Sequence, residues 1–173
     1  MPQAPDHRIV VEKSARRLRL YSGPAALREY RIAIGRNNGA DKAVEGDEAT
    51  PLGEFFICAK NPRSRFFRSL CVSYPNAPHA DRGLRAGLID AHEYARIIDA
   101  IEHRRTPPQN TRLGGEIYIH GEAPGRGGAA DGQAAGTAGR SDEGTRGCIA
   151  LNNRAMQELF DLVPLGTPVS IEP

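Results

Sequence analysis

Two side chains in this sequence, a histidine and a cysteine, stand where a nucleophilic site could form. His120 ends the β-prone run EIYIH and is followed by Gly121, whereas Cys148 is preceded by Gly147 and opens a short apolar run. Neighbouring strands lie about 5 Å apart, so pairing of these two runs would bring the thiol and the imidazole within hydrogen-bond reach. A nearby imidazole lowers the pKa of a thiol or accepts its proton, which is what a cysteine nucleophile requires.

The same residues also have simpler explanations. A cysteine among apolar residues is more often a small buried hydrophobe, and a histidine at a strand end can be a satisfied surface residue. No CxxC or HxxxH pair accompanies them, so neither a metal site nor a cofactor is predicted. Cys58 and Cys71 fall inside predicted strands, where core packing is the favoured role, and a disulfide between them requires an oxidising compartment. In the nucleophile hypothesis, Gly147 lets the backbone approach a substrate carbonyl and leaves the N–H of Cys148 free for a developing oxyanion.

The elements that would position these residues are mostly short strands. Apolar and β-branched runs bounded by turn residues predict strands at 9–11, 18–21, 30–34, 54–60, 70–74, 116–120 and 168–171. Residues 35–53 are predicted to form a long polar loop with little that can pack. Lys42, Asp47 and Thr50 in that loop either border a cleft or belong to a solvated turn. The glycine- and alanine-rich stretch 121–147 is predicted to be an exposed, flexible loop.

Two helices are predicted. Asp90 and Glu93 have the spacing of a capping box, and apolar residues follow with helical periodicity until Pro107 ends the segment. A second helix begins near Asn152 or 153 and stops at Pro164. The chain is therefore expected to be mainly β with two helices, an α+β fold, with 1–173 forming a single domain.

Composition excludes several functional classes. The chain has 173 residues, of which 39% are hydrophobic and 25% charged, as in a globular protein that can bury a core. The net charge is only +2 and the basic residues are scattered, so no nucleic-acid partner is predicted. No apolar run is long enough to span a membrane. The start, MPQAPDHR, has no signal-peptide pattern, which leaves open a cytoplasmic protein, another export route or a chain that begins after a removed leader.

Several stretches taken together resemble the L,D-transpeptidase catalytic domain, also called the YkuD domain. IYIHG (117–121), TRGCIAL (145–151) and LVPLGTPVSI (162–171) follow its pattern, and GRNNGADK…EGDEATPLGEF (35–55) is similar to its G…K…GD..TP.G.F signature. NPRSRFFRSLCVSYPN (61–76) looks like a stretch of the periplasmic branch of that family. The resemblance covers nearly the whole chain, and it is specific because the motifs occur together and in order.

The resemblance implies a YkuD-like β-sandwich with a catalytic cysteine at the mouth of a cleft. Such enzymes act on peptidoglycan stem peptides, which places the chain in the periplasm or cell envelope. By position, Cys148 would attack the meso-diaminopimelate carbonyl of a tetrapeptide donor and release D-Ala. A second stem, a D-amino acid, a protein lysine or water would then resolve the acyl-enzyme. His120 would be the base, the Gly121 carbonyl would hold its other ring nitrogen, and the Gly147 and Cys148 amides would form the oxyanion hole.

Substrate contacts are expected from Tyr118, Thr145 and Arg146. Thr145 stands where the family has Ser or Thr, whereas Arg146 and Ala150 replace a His and an Arg found in many members. Residues 143–145 are Glu-Gly-Thr where the similar branch has Asp-Trp-Thr, and the loop from histidine to cysteine is longer than usual. The guanidinium of Arg146 either binds a stem carboxylate or lowers the thiol pKa, unless it is a plain surface arginine.

The leading hypothesis is a peptidoglycan L,D-transpeptidase. A hydrolase on the same scaffold, either an L,D-carboxypeptidase or an amidase that releases protein linked to diaminopimelate, would share the acyl-enzyme and differ only in the attacking group. A secreted antibacterial cell-wall effector would use the same chemistry. A non-catalytic cell-wall-binding module would carry an unreactive Cys148.

Overall fold

The computed structural model describes residues 6–123 and 144–173, so most of the predicted flexible loop 121–147 lies outside the described residues. These described residues form eight strands: β1 (His7–Glu12), β2 (Arg17–Ser22), β3 (Ala25–Arg31), β4 (Gly53–Ser64), β5 (Phe67–Val72), β6 (Tyr118–His120), β7 (Ile149–Ala150) and β8 (Pro168–Glu172). The helices are α1 (Ala77–Arg85), α2 (Ala91–Glu102) and α3 (Asn153–Leu162). The mainly β fold class expected from the sequence is confirmed.

The strands form one curled sheet in the order β3-β2-β1-β8-β4-β5-β6-β7. The β1–β8 and β6–β7 pairs are parallel, and the other pairs are antiparallel. Residues just beyond β3 return to the far edge, where the backbones of Ala33 and Ala150 exchange two hydrogen bonds of 2.9 Å. The curl therefore brings the two edges of the sheet together and encloses the main core.

The main core is a single apolar cluster between the curled sheet and α3. Its fully buried members include Ile9, Leu20, Ile57, Leu70, Ile119, Ile149, Met156 and Leu159. Ile119 of β6 and Ile149 of β7 are both 0% exposed, so the strand that ends at His120 and the strand that follows Cys148 are both anchored in the core. Burial of such side chains contributes about 1.5–3 kcal/mol each, which fixes the register of these short strands.

Besides the two expected helices, the described residues form a third one, α1, which the sequence did not predict. Asn76 caps α1 by accepting a hydrogen bond from the N–H of His79, and Pro78 lies in the first turn. The helix packs against α2 around a small second cluster formed by Ala80, Ile89, Ile97 and Leu113. The capping box at Asp90 and Glu93 is present in α2 as predicted.

The stretch 35–53 is packed more tightly than its polar sequence predicted. Ala49 and Thr50 are fully buried and Lys42 is 3% exposed. The carboxylate of Asp47 accepts hydrogen bonds from Lys42 Nζ at 2.9 Å and from the N–H groups of Ala43, Val44 and Ala49. An ion pair between a buried ammonium and a half-buried carboxylate lets a polar segment pack against the sheet, so the solvated-turn alternative is wrong for Lys42 and Thr50.

Within the described residues, the helices are too short or too polar to cross a membrane.

Candidate active site

The register of β6 and β7 places the cysteine beside the histidine strand. Ile119 pairs with Ile149 and His120 with Ala150 in parallel, so Tyr118 and Cys148, each one residue earlier along the chain, are neighbours. Side chains alternate between the two faces of a strand. With Ile119 and Ile149 in the core, Tyr118, His120 and Cys148 share the opposite face.

The imidazole of His120 is fixed in one orientation. Its Nδ1 lies 2.5 Å from the Gly121 carbonyl oxygen. A carbonyl only accepts, so Nδ1 carries the proton and Nε2 is left with a free lone pair. The ring also stacks on Phe66, with centroids 4.6 Å apart and an interplanar angle of 28°. Burial lowers the pKa of His120 below its ordinary value, which keeps the ring neutral and able to act as a base at neutral pH.

A glycine is required after the histidine because the chain is crowded there. A Cβ at position 121 would collide with Oδ1 of Asn153 and lie 3.1 Å from the carbonyl oxygen of Phe66. The N–H of Gly121 donates to the Arg68 carbonyl at 3.2 Å, and Asn153 Oδ1 accepts from the N–H of Glu122 at 2.7 Å. These contacts hold the Gly121 carbonyl where it orients the imidazole.

The thiol of Cys148 is half-buried and protonated in the resting state. Sγ donates a hydrogen bond to the carbonyl oxygen of Glu116 at 3.3 Å. Burial raises the pKa of Cys148 above its ordinary value, and a hydrogen bond from the Tyr118 backbone opposes that shift. In the described part of the chain no hydrogen bond joins this thiol to His120. The resting pair is therefore a neutral thiol and a neutral imidazole rather than a thiolate and an imidazolium.

The turn before Cys148 is closed by its own threonine. Oγ1 of Thr145 donates to the Cys148 carbonyl at 2.6 Å and accepts from the N–H of Gly147 at 3.0 Å. Gly147 has φ +131°, a conformation that residues with a Cβ rarely adopt, and a Cβ there would lie 2.9 Å from the Ala49 carbonyl oxygen. The hydroxyl of Thr145 is thus used inside the turn, which favours a positioning role over the expected substrate contact.

Only one of the two amides expected in the oxyanion hole is free. The N–H of Gly147 is engaged by Thr145, whereas that of Cys148 has no hydrogen-bond partner among residues 6–123 and 144–173. A free, preorganised N–H next to the nucleophile is the donor that a developing oxyanion requires. The Cys148 amide is therefore the better candidate of the two in this state.

Thr50, in the segment 35–53, supports the nucleophile turn. Its Oγ1 donates to the Gly147 carbonyl at 2.8 Å and accepts from the Gly35 N–H at 2.8 Å, in a fully buried position. The segment 35–53 is thereby attached to the turn that presents Cys148. This residue was only an ambiguous candidate in the sequence, because nothing local indicates a partner 97 residues away.

A cationic hairpin tip lies on the histidine side of the site. The guanidinium of Arg65 stacks over the ring of Phe66 at 4.8 Å, and that ring covers His120. The charge of Arg65 acts on both reactive groups, lowering the pKa of His120 and of Cys148. The sequence did not single out Arg65 or Phe66, since the hairpin precedes the histidine by more than 50 residues.

The other two expected substrate-binding residues, Arg146 and Tyr118, are accessible to solvent. Arg146 is exposed and forms no ion pair with the described residues. Tyr118 is half-buried between Cys71 of β5 and the nucleophile. Burial raises the pKa of the Tyr118 hydroxyl, which therefore stays protonated. Both side chains are available to a ligand, and their contact with substrate stays a prediction.

The other two cysteines are unlinked. Cys71 is buried, Cys58 is half-buried, and Cys58 Sγ lies 3.5 Å from the carbonyl oxygen of Cys71. Across the described residues, no group of three or more His, Cys, Asp or Glu side chains is arranged to hold a metal ion.

The family comparison decides what kind of domain carries this site. A family model for the L,D-transpeptidase catalytic domain, YkuD, matches residues 6–171. The chain belongs to this family. No match was found among curated protein sequences.

Solved structures share the fold at low sequence identity. A variant of the helical cell shape determining protein Pgp2 from Campylobacter jejuni has a TM-score of 0.62 at 23% identity, over 98% of this chain and 48% of that one. Bd1075 from Bdellovibrio bacteriovorus gives 0.57 at 18%, covering 99% and 49%. An L,D-transpeptidase from Mycobacterium smegmatis gives 0.53 at 16%, covering 98% and 59%. This chain spans about half the length of the proteins it matches.

Proposed function

We propose that this YkuD domain is a cysteine acyltransferase that acts on peptidoglycan stem peptides, as an L,D-transpeptidase. The single observation that carries the proposal is the neighbouring placement of Cys148 and an imidazole whose Nδ1 is fixed on the Gly121 carbonyl. That tautomer leaves Nε2 of His120 as the proton acceptor on the face that it shares with the thiol. The substrate class is taken from the family, and a domain acting on this substrate would work in the periplasm or cell envelope.

In the acylation step, His120 Nε2 takes the thiol proton as Cys148 Sγ attacks the diaminopimelate carbonyl of a tetrapeptide donor. The N–H of Cys148 binds the oxyanion of the tetrahedral intermediate. The C–N bond to the terminal D-Ala then breaks, and the imidazolium gives its proton to the departing amine. The product is a thioester on Cys148 and a free D-Ala.

In the second step an acceptor attacks the thioester. His120 removes a proton from the acceptor, the C–S bond breaks, and the proton returns to the sulfur. With an amine acceptor, such as a second stem, a D-amino acid or a protein lysine, the product is a new amide. With water it is a tripeptide. Transfer and hydrolysis therefore use the same residues and differ only in which nucleophile reaches the thioester.

The experiment compares the wild type with Cys148→Ala on a disaccharide-tetrapeptide, with and without an added D-amino acid, and identifies products by mass spectrometry. Exchange of the terminal D-Ala, lost in Cys148→Ala, is the expected result. Tripeptide alone would replace the transferase proposal with a carboxypeptidase, and release from a protein-linked muropeptide would replace it with an amidase. If none of these substrates gives a Cys148-dependent product, the enzyme proposal fails and a cell-wall-binding module is the better explanation.

A further inference from the structure

The residue whose carbonyl binds the thiol, Glu116, is held in an unfavourable backbone conformation. Its φ is +54°, in the left-handed region that costs a residue with a Cβ about 1–2 kcal/mol. The N–H of Glu116 donates to Oε1 of Gln109 at 2.7 Å, and Nε2 of Gln109 is anchored on the carbonyls of Tyr74 and Pro107 at 2.9 Å. The surrounding structure thus fixes this backbone beside Sγ of Cys148, while the side chain of Glu116 is exposed.

The carboxylate of Glu116 disfavours ionisation of the Cys148 thiol. Its negative charge contributes to the raised pKa of Cys148 and of Tyr118. The cations that act in the other direction on the thiol are Lys42 and Arg65. Lys42 is already bound to the half-buried carboxylate of Asp47, and no lysine, arginine or histidine of the described residues forms an ion pair with Glu116. An exposed carboxylate beside a nucleophile that must ionise is explained if a cationic substrate group neutralises it.

We propose, building on the proposed function, that Glu116 binds the free ammonium group at the far end of the donor's diaminopimelate side chain. The attacked carbonyl belongs to that same diaminopimelate, and it must touch Sγ, which lies 3.3 Å from the Glu116 backbone. A side chain that starts next to this carbonyl can therefore reach the Glu116 carboxylate. The site would select donor stems whose side-chain amine is neither cross-linked nor acylated.

The other candidate cation, the acceptor amine, belongs on the opposite side of the nucleophile. An acceptor must give its proton to His120 and takes the place that the D-Ala amine left. His120 and Glu116 lie on either side of Tyr118 along the chain, and Tyr118 is the neighbour of Cys148. Glu116 is thus placed to bind the ammonium group of the donor rather than that of the acceptor.

Neutralisation of Glu116 would also couple donor binding to activation of the thiol. A negative charge beside sulfur disfavours the thiolate, so an ammonium paired with that charge lowers the thiol pKa. The nucleophile would ionise more readily when the correct donor is bound than in the free enzyme.

The test measures donor selectivity. Wild type, Glu116→Gln and the distant control Glu102→Gln are assayed on tetrapeptide donors whose diaminopimelate amine is free or N-acetylated. The wild type and Glu102→Gln should prefer the free amine by roughly 5- to 30-fold in kcat/KM, as a partly exposed charge-assisted contact allows. In Glu116→Gln this preference should fall below about 2-fold, chiefly through a higher KM for the free-amine donor. Glu116→Asp, which keeps the charge, should retain part of it.

A second measurement needs no donor and separates this inference from the proposed function. The rate of Cys148 alkylation by iodoacetamide is followed against pH, and the apparent thiol pKa should be lower in Glu116→Gln than in the wild type. An unchanged thiol pKa, or a preference for the free amine that survives in folded Glu116→Gln, would overturn the inference while leaving the enzyme proposal intact. Loss of all Cys148-dependent products with both donors in the wild type would instead remove the proposed function on which the inference rests.

Discussion

The hydroxyl of Thr50 offers a sharp test of how the nucleophile turn is held. Substitution of Thr50 by valine keeps the shape of the side chain but removes the one group that bonds both the Gly147 carbonyl and the Gly35 N–H, each at 2.8 Å. Both backbone groups would then be buried without a partner, since position 50 is 0% exposed. The matched control is Thr50→Ser, which loses a methyl group and keeps the hydroxyl.

The expected cost follows from the two orphaned groups. Each buried polar group without a partner costs about 1–3 kcal/mol, and with partial relaxation we expect Thr50→Val to lose roughly 2–4 kcal/mol of unfolding free energy. For a chain of this size that corresponds to a fall in Tm of about 4–16 °C. A shift of the turn near 1 Å would also displace the Cys148 amide and thiol and lower kcat for acylation by about 100-fold.

Thermal and denaturant unfolding give the stability, and D-Ala release from the tetrapeptide gives kcat. Thr50→Ser should lie much closer to the wild type than Thr50→Val in both measurements, although it forfeits the packing of one methyl group. If the valine and serine variants unfold within about 0.5 kcal/mol of each other, the range expected of substitutions without a specific mechanism, the hydroxyl does not hold the turn.

Two further substitutions test the environment of the imidazole and the buried ion pair. Phe66→Ala should admit water to the ring of His120 and raise the pKa of that imidazole toward its ordinary value. Because only the neutral imidazole accepts a proton, the acid limb of the pH profile of kcat/KM should move to higher pH. An unmoved acid limb would contradict the role of the stacked ring. Asp47→Asn should lower the free energy of unfolding in urea by about 3–5 kcal/mol, because it leaves Lys42 charged in a buried site. Adding Lys42→Met should recover part of that loss. A double variant no more stable than Asp47→Asn would show that the ion pair is not the cause.

Elements with a strong local pattern could be predicted from the sequence, and α1 could not. The capping box and apolar periodicity of α2 identify that helix without tertiary information. The segment Ala77–Arg85 has a proline in its first turn and few large apolar residues, so its helix depends on the Asn76 cap and on packing against α2. Gly83 even lies under the side chain of Leu113, a contact that no pattern within the helix reveals.

The candidate site divides in the same way. Cys148 and His120 could be proposed because each borders a short apolar run, and the pairing of these two runs is so short that the two residues stay close in register. Phe66 contacts His120 with its ring face, Glu116 contacts Cys148 with its backbone carbonyl, and Thr50 bonds the carbonyl of Gly147 just before the nucleophile. Such contacts leave no residue-type signature in the sequence. Sequence patterns identify the groups that react. The groups that orient them and shift their pKa values are brought into place by the register and curl of the sheet.

The protonation state of the resting pair has a mechanistic consequence. Burial raises the pKa of the Cys148 thiol and lowers that of the His120 imidazole, so both shifts favour the neutral forms and oppose a preformed thiolate–imidazolium pair. A neutral thiol reacts slowly with oxidants and stray electrophiles. Ionisation must then occur when donor is bound, with the proton passing to Nε2 as the carbonyl is attacked. An ammonium from the donor paired with Glu116 would remove one of the charges that keep the thiol protonated. Selectivity for the donor and protection of the free thiol would in that case have the same electrostatic origin.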